Sequence, residues 1–145
     1  MDKKLDPKAY LSQLIKMDTY IQAKREDYEL AMARATSITQ RHDEVRATGG
    51  KSSREDLIIR CVEISDEIDR AIDELIDLQR EARGLIDKLD DARYKTILTL
   101  RYIHCRSWGY IAEHMSYDVR WVHRLHGQAL EQFSHIKPLP KGDIV

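Results

Sequence analysis

The stretch LIIRCVEISDEIDRAIDELIDLQREARGLIDKL, residues 57–89, decides the fold class. Its apolar positions fall at Leu57, Cys61, Ile64, Ile68, Ala71, Leu75, Leu78, Ala82, Leu85 and Leu89, in steps that alternate four and three over nearly five heptads. That is the period of one helical face; a strand alternates every second residue. A further stripe, Ile58, Val62, Ile72, Ile76 and Ile86, widens the face beyond a two-stranded seam, so a bundle of three or four helices buries it better. The seam residues Leu57, Ile64, Ile68, Leu75, Leu78, Leu85 and Leu89 are the expected oligomerisation contacts.

The same alternation runs upstream through Tyr10, Leu14, Met17, Ile21, Lys24, Tyr28, Ala31, Ala35 and Ile38, with Lys24 alone breaking the stripe. Between the two runs, residues 40–53 are polar and contain Gly49-Gly50, which permits a turn. Ser52 with Glu55, or Ser53 with Asp56, has the spacing of a capping box opening the second helix. Two helices of about 30 residues, each about 45–50 Å long, joined by a flexible loop favour an antiparallel hairpin. Pairing of the long helices between chains is the rival arrangement, and either is compatible with a dimer whose hairpins form a four-helix bundle. The arm is expected over 8–89, with its loop at about 40–53.

Composition agrees with long solvated helices. Charged residues make up 34% of the 145, above the roughly 25% of an average domain, while aromatics are 7%. The 6 Gly and 3 Pro are too few for a collagen-like or turn-dense all-β chain. Two cysteines, Cys61 and Cys105, make no disulfide framework and fit a reducing compartment. No apolar run approaches a membrane span, and Met1-Asp2-Lys3-Lys4 is not followed by a signal-peptide core, so a cytoplasmic protein without membrane partners is expected. The net charge of −1 conceals an asymmetry: residues 54–93 carry −6, whereas 94–145 carry +3 and five of the six histidines.

The C-terminal part reads as short helices. Asp90-Asp91 is placed to cap a helix from Ala92 through Ile103, and His104-Cys105-Arg106 interrupts it. Ser107 can cap a helix from Trp108 to Met115, and Asp118 a helix from Val119 to about Phe133. Ile111, Met115, Tyr117, Val122 and Leu125 have the spacing of buried residues, and Ala112 is small where two helices would cross. This is the packing template of a DNA-binding helix-turn-helix, whose second helix enters the major groove. The departure is Ser116, where glycine is usual because the turn requires a left-handed residue. A helix-turn-helix domain is expected over 90–133, and a disordered tail over 134–145.

Leu100-Arg101-Tyr102-Ile103, Ser107 through Met115, and Val122 through Leu130 together resemble region 4 of bacterial sigma factors, over roughly residues 92–133. The layout of two long charged helices followed by this segment is similar to small phage and prophage proteins of Gram-positive bacteria, related to autolysin-regulator-type late transcription activators. Regions 1 and 2 of a sigma factor have no counterpart, so the likeness implies promoter recognition or activation rather than initiation. It places the base-reading positions at Val119, Arg120, His123 and Arg124. Arg120 and Arg124 share a face, and arginine is well shaped for guanine O6 and N7. Family members usually carry a polar residue at the position of Val119. Arg101, Arg106 and the backbone near Ser107 are the implied phosphate contacts. The position of Trp121 should point away from the core, so it either packs on the helix before Trp108 or marks a protein contact.

No cofactor is expected. His104, Cys105, His123 and His126 lack a C-x-x-C partner for zinc, and the histidines read more simply as neutral hydrogen-bonding groups of a DNA-facing domain. Asp66, Asp69, Asp73 and Asp77 read as a solvated face rather than a cation site. No phosphate loop, nucleophile elbow or H-E-x-x-H supports an enzyme. The expected protein is therefore an all-α DNA-binding regulator of a bacterial host cell. Its partners would be double-stranded DNA, itself as a homodimer or higher oligomer, and RNA polymerase. The alternative is a structural or assembly protein, such as a packaging or scaffold factor oligomerising through the arm.

Overall fold

A computed structural model describes residues 6–44 and 50–136, with side chains over 6–37 and 54–136. All regular structure among them is helical: α1 (Pro7–Glu44), α2 (Gly50–Ile86), α3 (Ala92–Leu98) continued by a π-helical turn (Thr99–Ile103), α4 (Trp108–Met115) and α5 (Val119–Ser134). The chain is all-α. Among the described residues no helix is long and apolar enough to cross a membrane.

The start of α1 is written locally. Pro7 occupies the first helical position, where its missing N–H costs nothing, and the Asp6 carboxylate accepts from the Ala9 N–H at 3.3 Å. The two long helices hold 38 and 37 residues and so exceed the expected lengths. Gln40 to Glu44 contain no Gly or Pro, and Gln40, Arg41 and Glu44 are good helix formers, so they extend α1 rather than opening a loop. Helix α2 begins at Gly50, ahead of Ser52 and Ser53, so the expected capping box does not mark its start. Residues 45–49, the remainder of the expected loop, lie outside the described residues.

The contacts divide the chain into two compact units. The first spans 17–75 and consists of α1 from residue 17 onward and α2 up to residue 75. Ala31, Cys61 and Ile64 form its buried cluster, with Tyr28 and Ile68 packed alongside. Lys24, the interruption in the apolar stripe, meets Glu67 with Nζ and Oε2 2.5 Å apart. The Glu67 carboxylate holds the Lys24 ammonium above its ordinary range, and Lys24 holds Glu67 below its own. Residue 24 faces 67 and residue 31 faces 61 and 64, so α1 and α2 run antiparallel here.

The second unit takes in residues 6–16 and 76–136, reaching back past the boundary expected at residue 90. The cause is burial at the start of α1 and around the end of α2: Leu11, Leu14, Ala82, Leu85, Ile86 and Leu89 are all buried. Tyr10 stacks on Phe133 of α5 with centroids 6.0 Å apart, and its hydroxyl donates to Glu81 at 2.7 Å. Ile97, Leu100, Ile111, Ala112, Val122 and Leu125 form a contiguous core that joins α3, its π turn, α4 and α5. Each large member contributes about 1.5–3 kcal/mol on burial. Asp91 caps α3, accepting from the Arg93 N–H at 2.8 Å. The helix expected to run unbroken to Ile103 instead widens at Thr99, and the His104 N–H donates to the Thr99 carbonyl. The widened turn buries Leu100, Tyr102 and Ile103 together. Helix α5 continues through Ser134, and His135-Ile136 follow it as a turn, so the first part of the expected disordered tail is structured. Residues 137–145 lie outside the described residues.

Candidate functional site

The α4–α5 corner is built by three local devices. The Ser107 hydroxyl accepts from the Tyr110 N–H at 3.2 Å and opens α4. Ser116 closes α4 in the left-handed region at φ 59° and ψ 41°. There the Tyr117 N–H donates to the Ala112 carbonyl at 2.9 Å and the Ser116 N–H to the Glu113 carbonyl at 3.2 Å, the pairing of a Schellman motif. A left-handed residue other than glycine costs about 1–2 kcal/mol. Asp118 then opens α5, accepting from the Trp121 N–H at 2.7 Å. Ile111, Ala112, Val122 and Leu125 are buried where the spacing predicts, and Met115 and Tyr117 are half-buried against the same core.

Trp121, expected to point away from the core, instead packs against it, half-buried. It meets Tyr117 edge-on at 6.5 Å, and the Arg124 guanidinium lies over its ring at 5.8 Å from the centroid.

Val119, Arg120, His123 and Arg124 are all exposed on the first two turns of α5. None of positions 119–130 is acidic, and the Asp118 carboxylate ahead of them is engaged as a cap. His123 is tethered: its ring lies 4.6 Å from that of Trp108. Arg101 is half-buried and engaged within the chain, donating from Nη1 to the Arg106 carbonyl at 3.0 Å while its guanidinium covers Trp108 at 4.5 Å. Arg106 is exposed and lies over Tyr110 at 4.7 Å. Ser107 is exposed, with its hydroxyl already used by the cap. Among the described residues, no carboxylate forms an ion pair with Arg101, Arg106, Arg120 or Arg124.

His126, read from the sequence as a neutral hydrogen-bonding group, lies in the interior, 8% exposed, with Nε2 2.7 Å from the Tyr102 hydroxyl in a hydrogen bond. Its ring also meets Trp108 edge-on at 4.6 Å. Burial pushes its pKa down to about 4, with the charges of Lys8, His123 and Arg101 adding to the effect. The signal was present in the spacing: Val122, His126, Ala129 and Phe133 advance by four, three and four along the inner face. A second feature missed was Cys105, left-handed at φ 54°, which lets the Arg106 N–H return to the Leu100 carbonyl at 2.9 Å.

Among the described residues, no group of three or more His, Cys, Asp or Glu is arranged to hold a metal ion. Cys61 is buried in the hairpin, and Cys105 is half-buried with its thiol donating to the Tyr102 carbonyl at 3.8 Å. Of the expected oligomerisation seam, Ile64, Leu75, Leu85 and Leu89 are buried within the chain, and Leu57, Ile68 and Leu78 are half-buried. The large apolar side chains that α2 leaves exposed are Ile58, Ile59, Val62 and Ile76.

An all-α chain whose last two helices meet at a capped, left-handed turn is thus defined by its own geometry. Residues 34–133 match the family described as "Protein of unknown function (DUF1492)", and the chain belongs to that family. No curated protein and no solved structure matches it.

Proposed function

We propose that this protein is a transcriptional regulator of phage or prophage type, acting in the cytoplasm of a bacterial host. It binds double-stranded DNA with α4 and α5 as a helix-turn-helix. The observation that carries the reading is the outer face of α5, where Arg120, His123 and Arg124 are exposed together and no acidic residue interrupts positions 119–130. A cationic face at the N-terminal end of a second helix suits the major groove, and Arg120 and Arg124 have the shape to read guanine. Val119, 44% exposed, offers an apolar contact to a thymine methyl.

One such module makes a small interface, and joining two raises affinity through effective concentration. The pairing falls to the hairpin, where Tyr28, Met32, Ile58, Cys61 and Val62 line an apolar groove of about 410 Å³. Acidic α2 is the surface available to RNA polymerase.

The test is fluorescence anisotropy of the full chain on labelled duplexes carrying the host phage's promoters, against mixed-sequence duplex. Specific binding that loses about tenfold in preference with Arg120→Ala or Arg124→Ala supports the reading. No binding to any duplex at low salt refutes it.

A further inference from the structure

We infer that Trp121 is a positioning residue: its ring holds Arg124 in the pose that reads a base, so preference at one base pair is set by two side chains rather than one. This rests on the reading of α4 and α5 given above. Arg120 and Arg124 stand one turn apart on the exposed face of α5, yet their surroundings differ. The Arg124 guanidinium lies over the Trp121 ring, 5.8 Å from its centroid, within the range of a cation–π contact. Among the described residues, the Arg120 side chain makes no hydrogen bond, ion pair or ring contact.

Trp121 can serve this way because it is itself fixed. It is half-buried against the core that contains Val122 and Leu125, and Tyr117, packed on the same core, meets its ring edge-on at 6.5 Å. Its backbone N–H is held by the Asp118 cap at 2.7 Å. No acid competes for the arginine: among the described residues no carboxylate pairs with Arg124, and that of Asp118 is engaged by the cap. An arginine is long and rich in rotamers, and it loses that freedom when it engages a base. Part of the loss is already taken in the free protein when the guanidinium rests on an indole, the strongest aromatic acceptor of a cation. A guanidinium covering a ring with its face still presents N–H donors at its edge, where guanine O6 and N7 are met.

The experiment measures fluorescence anisotropy of the full chain on a bound promoter duplex and on duplexes that change it one base pair at a time. Arg124→Ala identifies the pair that Arg124 reads, and Arg120→Ala the pair that Arg120 reads. Trp121→Met, which keeps apolar volume without a ring, is expected to lower preference at the Arg124 pair by about two- to fivefold, the weight of an exposed cation–π contact. Preference at the Arg120 pair is expected to stay at the wild-type value, and Trp121→Phe to retain most of the preference at the Arg124 pair. Combining Trp121→Met with Arg124→Ala should cost no more at that pair than Arg124→Ala alone. Unchanged preference at the Arg124 pair in Trp121→Met overturns the inference, and so does an equal fall at both pairs, which would mark a loosened α5. Binding in which Arg124 reads no pair overturns it while leaving the helix-turn-helix reading intact. In the free protein, the ring current of Trp121 should shift the Arg124 side-chain protons upfield in the NMR spectrum. Ordinary shifts there overturn the inference even where Trp121→Met fails to fold. Absence of wild-type binding to any duplex refutes the reading of α4 and α5 itself, and the inference with it.

Discussion

Trp108 of α4 and His123 of α5 face each other across the helix crossing with ring centroids 4.6 Å apart, and Arg101 covers the same indole at 4.5 Å. His126 meets it edge-on from the interior. One half-buried tryptophan therefore fixes the π-helical turn, α4 and α5 against each other. Trp108→Ala is expected to destabilise the protein by about 2–4 kcal/mol through lost packing. Urea denaturation followed by circular dichroism measures this, and a loss below 1 kcal/mol would remove Trp108 from that role.

Ser116 carries a left-handed backbone that glycine adopts freely. Ser116→Gly is expected to raise stability by about 1 kcal/mol, offset in part by the greater freedom of glycine in the unfolded chain. A β-branched residue there, as in Ser116→Val, is expected to lower it by more than 1 kcal/mol. Thermal melts of the pair check the sign, and a neutral Val variant would contradict the backbone assignment.

The caps of α4 and α5 have separable costs. Ser107→Ala and Asp118→Ala each remove the acceptor for one backbone N–H and should destabilise by about 1 kcal/mol. Asn at either position should recover most of the loss, because it restores the acceptor. Equilibrium denaturation of the four variants tests both statements.

Acid should act through His126. Its folded pKa, about 4, is below the ordinary 6.5, so between those values the unfolded chain binds a proton that the folded chain refuses. Stability then falls as pH drops from about 6.5 toward 4, by up to about 3 kcal/mol. His126→Gln keeps a hydrogen-bonding partner for Tyr102 without titrating, and the denaturation midpoint of this variant should be flatter over that range. A slope identical to wild type would assign the pH dependence to other groups.

Lys24 and Glu67 answer one another in the hairpin. Lys24→Leu alone should lower the melting temperature of the chain, because it leaves a half-buried carboxylate unpaired. Adding Glu67→Leu should recover the loss, since apolar replacement of both partners is tolerated where removal of one is not. A double variant no better than the single would show that the pair is solvated.

Much of this architecture was legible because it is local. The four-three steps of α1 and α2, the caps at Asp91, Ser107 and Asp118, and the left-handed demand at Ser116 all follow from neighbours within one or two turns. Polarity misled at residues 40–44, where a run without apolar anchors, but also without Gly or Pro, read as a loop. The candidate face was legible only in part: Val119, Arg120, His123 and Arg124 emerge exposed, with His123 against Trp108, whereas Arg101 is half-buried and engaged within the chain.

By itself the sequence determined that the chain is helical, where the short helices begin, and which face of each is apolar, because periodicity and capping depend on residues a few positions apart. Tertiary structure alone decided which polar groups meet: Lys24 with Glu67, Tyr10 with Glu81, and Tyr102 with His126. Those partners are separated by tens of residues, and charge or hydrogen-bonding capacity along a chain does not say what it will face. Their pairing is set by how buried leucines and aromatics lock the helices together, and only afterward do the polar side chains between them find one another.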